Sequence, residues 1–172
     1  MFKISTLENT IHEVPRHLLK DSILIKNMMD EETDEDDEGV FPLPNITDEI
    51  FREVMRFAHI HSDTPADIDL PVHTKDFEKL VPAPYLGLIE DWFHREPHAK
   101  FMKRVIKAAD YLAFDALITM CHAKMQTTIF ERNPIEVLRM YGVENAEAEA
   151  EKIMSEMDSM YPNFSEEIRK LP

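Results

Sequence analysis

Residues 99–129 read AKFMKRVIKAADYLAFDALITMCHAKMQTTI. Met102, Val105, Ile106, Ala109 and Leu112 recur three or four positions apart, which is one face of an α-helix. Asp115 caps a second helix, in which Leu117, Ile118, Cys121, Met125 and Ile129 face inward. Downstream, Asn133-Pro134 is a cap followed by proline at the first helical position. Val137, Leu138 and Tyr141 follow, and Gly142 is placed to end that helix as its C′ residue. Asn145 opens a last helix that carries Ala146, Ala150, Ile153, Met157 and Met160 on one side. Beyond Tyr161-Pro162 the expectation is a frayed tail over 162–172.

Upstream the pattern changes. Residues 2–7 alternate apolar and polar, the period of a half-buried strand, and Asn9-Thr10 is a turn signal. Residues 11–14 return as the second strand of a hairpin, which Pro15 ends because it has no N–H to donate. Arg16–Leu19 makes one helical turn, and Asp21-Ser22 caps a helix with Leu24 and Met28 on one face. Residues 40–44 are extended, because each proline pushes its predecessor out of the helical region. Thr47 caps the next helix, with Asp48 and Glu49 in the first turn and Ile50, Val54 and Phe57 on its apolar face. The prolines at 65, 71, 82 and 84 predict an irregular loop over 59–98 with little core material. Strands early and helices late make the fold class α+β.

The chain has 172 residues, 44% of them hydrophobic, enough for a real core. Against 19 Lys+Arg stand 34 Asp+Glu, a net charge of −15. Binding nucleic acid or an anionic membrane needs concentrated cations, so neither is an expected partner. Residues 30–38 read DEETDEDDE and supply −8 of that charge; such a run repels itself and reads as a solvated loop. No apolar run resembles a signal peptide or a bilayer span, so the expected location is the cytoplasm and nucleus.

No catalytic constellation stands out. The three glycines, Gly39, Gly87 and Gly142, are too far apart for a phosphate-cradling loop. His59, His61 and Asp63 make the best metal cluster, and a small metal-dependent hydrolase built on them is the enzymatic alternative. His94 and His98 are separated by Pro97, and His12-Glu13 lacks a second histidine. The acidic run has no mid-loop glycine for a calcium loop. Cys121 lies on an apolar stripe and points away from His122, so it reads as a packed core thiol. The expectation is a non-enzyme without cofactor or metal. The methionines and aliphatics of the last helices suit ordinary core or an adaptable partner surface equally.

Three pieces carry a resemblance: Pro42-Leu43-Pro44-Asn45 after an acidic loop, Ala108-Ala109-Asp110-Tyr111-Leu112, and Asn133-Pro134-Ile135-Glu136. With the order of elements around them, residues 2–157 resemble the S-phase kinase-associated protein 1 family, adaptors of SCF ubiquitin ligases. The resemblance implies a BTB/POZ-like core, a small sheet packed with helices, over residues 1–130. It implies two added C-terminal helices over 131–161. It also implies a non-catalytic adaptor that bridges F-box substrate receptors to a cullin.

On this resemblance the cullin interface comprises Pro42, Leu43, Pro44, Asn45, Asp110 and Tyr111. The F-box interface comprises Met102, Ile106, Ile118, Met125, Ile129, Val137, Tyr141, Val143, Met157 and Met160. Two departures stand out. Asp110 occupies a position where the family usually has Asn. No tryptophan follows Trp92, so Met157, Met160, Tyr161 and Phe164 are the residues left to replace the family's C-terminal anchor. The alternative is an F-box-binding or oligomeric BTB-like scaffold that engages no cullin, and a weak homodimer belongs with it.

Overall fold

A computed structural model describes residues 1–31, 39–168 and 170. The opening hairpin forms as the alternation predicts. Strands β1 (Phe2–Ser5) and β2 (Ile11–Val14) run antiparallel, with Phe2 opposite Val14 and Ser5 opposite Ile11. Asn9 turns the chain at φ 61°, a conformation its side chain tolerates better than most. Strand β3 (Val40–Pro42) lies parallel to β1, giving the order β2-β1-β3. Pro42 ends an edge strand, where a missing N–H breaks no ladder.

Arg16–Leu19 is a single 3₁₀ turn that buries Leu18 and Leu19. Helix α1 (Ile23–Glu31) starts at Ser22, whose hydroxyl accepts from the Ile25 N–H at 3.3 Å and donates to the Leu112 carbonyl at 2.6 Å. Of the acidic run, residues 32–38 lie outside the described residues. Helix α2 (Asp48–Asp63) is capped by Thr47, whose hydroxyl accepts from the Ile50 N–H. It buries Ile50, Phe51, Val54, Phe57 and Ala58.

The expected irregular loop over 59–98 is corrected by the structure. Helix α2 runs on to Asp63, Phe77–Lys79 forms a 3₁₀ turn with Phe77 buried, and Ala83–His94 is a helix, α3. Pro82 is the cap of α3 and Pro84 lies in its first turn, where an N–H has no intrahelical acceptor anyway. Tyr85, Leu88, Ile89, Trp92 and Phe93 are buried, so this segment is core material. A 3₁₀ turn at Pro97–Ala99 leads into α4 (Lys100–Tyr111), and α5 (Asp115–Ile129) packs against it.

A continuous buried cluster runs from Phe2 of β1 through α2, α3 and α4 to Ala123 of α5. The last helices lie outside it. Helix α6 (Pro134–Met140) buries no residue fully, and α7 (Ala146–Met160) buries Ala146, Ala150 and Met154. The expected frayed tail over 162–172 is corrected at Phe164–Ile168, which forms a short helix, α8, folded against α7, while residues 169, 171 and 172 lie outside the described residues. Ser165 ties it down: its N–H donates to Asp158 at 2.8 Å and its hydroxyl to the Met154 carbonyl at 3.3 Å.

Candidate protein-interaction faces

Helices α4, α5 and the end of α6 enclose an apolar groove of about 570 Å³. Ile106, Met125, Ile129 and Tyr141 line it, four of the ten residues assigned to the F-box interface. The periodicity explains the convergence. Ile118, His122, Met125 and Ile129 fall at helical spacing along one face of α5, and α6 brings Tyr141 up beside Ile106. Ile118 is half-buried one turn before the groove, while Ile129 is 37% exposed at its far end.

Lys103, Lys107, His122 and Gln126 complete the lining. The Lys103 ammonium donates to the Tyr141 carbonyl at 3.3 Å and stands 5.1 Å from the centre of the Tyr141 ring. The Tyr141 hydroxyl is buried and has no hydrogen-bond partner among the described residues. Burial pushes the pKa of that phenol up. Sequence reading missed the polar part of this lining, although lysines at 103 and 107, one turn apart, were the available signal.

Val137 and Val143 are half-buried on α6 and just beyond it. Met157 is half-buried and Met160 is 61% exposed. With Ile153, also exposed, they form an apolar stripe along α7 at positions i, i+4 and i+7. Tyr161 is exposed and Phe164 half-buried. Met102 is a correction. It is fully buried in the core on the inner face of α4, so it supports the groove from beneath and offers no contact surface.

The residues assigned to a cullin divide in the same way. Pro42, Pro44, Asn45 and Asp110 are exposed and Tyr111 is half-buried. Asn45 and Tyr111 line one hollow of about 290 Å³, together with Ile50, Arg104 and Lys107. Leu43 is the second correction: it is fully buried, and its N–H donates to the Ser5 carbonyl at 2.7 Å. Arg104 is held by Glu49 at 3.1 Å and Glu96 at 2.6 Å. The exposure of Asp110 means that its charge costs the free chain no desolvation.

The proposed metal cluster is not assembled. Because α2 continues through Asp63, His59 and His61 point to opposite sides of a helix. His61 stacks on Phe57 at 5.5 Å and its Nδ1 lies 3.0 Å from the Tyr85 hydroxyl, which itself donates to the Thr64 carbonyl at 2.7 Å. Burial lowers the His61 pKa and pushes that of Tyr85 up to about 12. His94 pairs with Glu90, whereas His98 bonds the Met140 carbonyl. Among the described residues no group of three His, Cys, Asp or Glu side chains could hold a metal ion. Cys121 is fully buried, and burial pushes its thiol pKa up to about 12. It is the inert core thiol expected.

Between α2 and α3 lies an ionic network centred on the nearly buried Glu53. The Glu53 carboxylate accepts from the Trp92 indole at 3.0 Å, from Arg95 at 2.9 Å and from Arg56 at 2.8 Å. Lys124, nearly buried, donates to Glu90 at 2.6 Å and lies over the rings of Phe77 and Phe93 at 5.4 and 5.2 Å. Both networks serve the fold and pin α3 between its neighbours.

Residues 1–63 match the Skp1 family, tetramerisation domain. The chain is 33% identical over 144 residues to an S-phase kinase-associated protein 1 homolog of Tetrahymena thermophila, covering 83% of this chain and 82% of the relative. It is 23% identical over 139 residues to the E3 ubiquitin ligase complex SCF subunit sconC of Arthroderma otae, covering 77% and 76%. It is 23% identical over 166 residues to SKP1-like protein 18 of Arabidopsis thaliana, covering 92% and 85%.

Proposed function

This chain belongs to the Skp1 family, and we propose on that footing that it is a non-catalytic adaptor subunit of an SCF-type ubiquitin ligase, bridging F-box proteins to a cullin. The observation that carries the reading is the apolar groove, where Ile106, Met125, Ile129 and Tyr141 converge beside helices outside the main core. Such a groove suits an amphipathic helix laid into it, with anchors three or four residues apart. The F-box protein then supplies substrate choice and this chain supplies the link.

The second face is the hollow at Asn45 and Tyr111, with Pro42, Pro44 and Asp110 exposed. It is assigned to the cullin. The two hollows share Lys107, so α4 is the wall between the faces. No reacting group is required of an adaptor.

Ile129→Asp tests the assignment of the groove. The side chain is more than one-third exposed, so the fold tolerates the change, but a carboxylate in place of an apolar anchor must be desolvated when a partner helix covers it, which costs binding heavily. Titration with an F-box domain should lose at least about tenfold in affinity, while cullin binding is unchanged. Unaltered F-box affinity would remove the groove from the interface.

A further inference from the structure

We propose that the groove between α4, α5 and α6 selects partner helices that carry carboxylates beside their apolar stripe. This rests on the adaptor reading and adds a chemical preference to it. The chain has 34 acidic side chains against 19 Lys and Arg, yet among the described residues none that is acidic lines the groove. Its charged lining is Lys103 and Lys107, with His122 beside them.

Several described cations are already paired with a carboxylate. Arg52, Arg56, Arg95, Arg104, Lys124 and Arg139 each hold a carboxylate within ion-pair distance. Among the described residues neither Lys103 nor Lys107 has a carboxylate partner. The Tyr141 carbonyl and ring hold the Lys103 ammonium at the rim.

A partner carboxylate at the rim meets the charge of these lysines. A partner lysine at the same place meets like charge.

The test uses the full chain and three synthetic helical peptides with one shared apolar stripe, flanked by Glu, Gln or Lys. Their affinities are read by fluorescence anisotropy at about 0.15 M salt. The Glu peptide should bind tightest and the Lys peptide weakest, a spread of about tenfold. In the double variant Lys103→Glu, Lys107→Glu the order should reverse. In Lys103→Gln, Lys107→Gln, which perturbs the fold least, it should flatten.

Equal affinities, an order that charge reversal leaves untouched, or no binding by any peptide would each overturn the proposal. An F-box domain measured alongside separates the two claims. If peptides sort by charge but F-box domains fail to bind, the adaptor reading falls alone. If F-box domains bind the wild-type chain and both double variants equally, the charge preference falls alone.

Discussion

Glu53 sits at a core-spaced position of α2 and is nearly buried, an expensive place for a carboxylate. Burial pushes its pKa up, but the Trp92 indole, Arg95 and Arg56 together outweigh burial and hold it below the ordinary 4.5. A carboxyl depressed in the folded state contributes stability that is fully present above its unfolded pKa. That contribution is lost as pH falls through the folded value. Glu53→Gln should therefore lower stability by about 1–3 kcal/mol at neutral pH. The gap to wild type should close as the pH drops below 4.5. Urea denaturation across that range checks it, and a gap constant with pH would refute the network. Nothing local in the sequence marks this residue, since Trp92 and Arg95 are 39 and 42 positions away. Lys103 and Lys107 escaped notice for a related reason: a lysine is ordinary on a helix surface until a groove forms beside it.

At the scale of elements, legibility followed local chemistry. The hairpin, the Thr47 cap and the periodic helices α4 and α5 were readable because adjacent residues determine them. So was the stop of α6. The Gly142 N–H donates to the Arg139 carbonyl and the Val143 N–H to the Leu138 carbonyl, both at 3.0 Å, which is a Schellman closure. Gly142 has φ +81°, and a Cβ there would meet the His98 ring at 2.8 Å. Gly142→Ala should cost about 1–3 kcal/mol. The loss should fall on α6, where hydrogen exchange should quicken, while the amides of α2 keep their protection. Unchanged exchange in α6 would show that the closure does not hold it. Helix α3 was misread because its prolines were weighed as breakers. Its own spacing at 85, 88, 89 and 92 was helical, and the prolines occupy the cap and first turn. Helix α8 depends on Ser165 meeting Asp158, a tertiary contact no pattern announces.

As a whole molecule, the chain divides into a buried core through α5 and a set of terminal helices laid against it. His98 bonds α6 at Met140, and Lys103 bonds the Tyr141 carbonyl that follows it. The groove exists at that junction, which is why its walls come from residues as far apart as 106 and 141. The family motifs assigned residues to two faces, but the motifs alone do not say which of those residues reach the surface. Leu43 and Met102 went inward because the core needed them. The central claim, a two-faced adaptor, is tested most directly by size-exclusion chromatography of the full chain with an F-box domain and a cullin N-terminal domain, singly and together. The account predicts a binary complex with each and one ternary peak containing all three. Failure of both binary complexes, or two that form only in exclusion of one another, would contradict it.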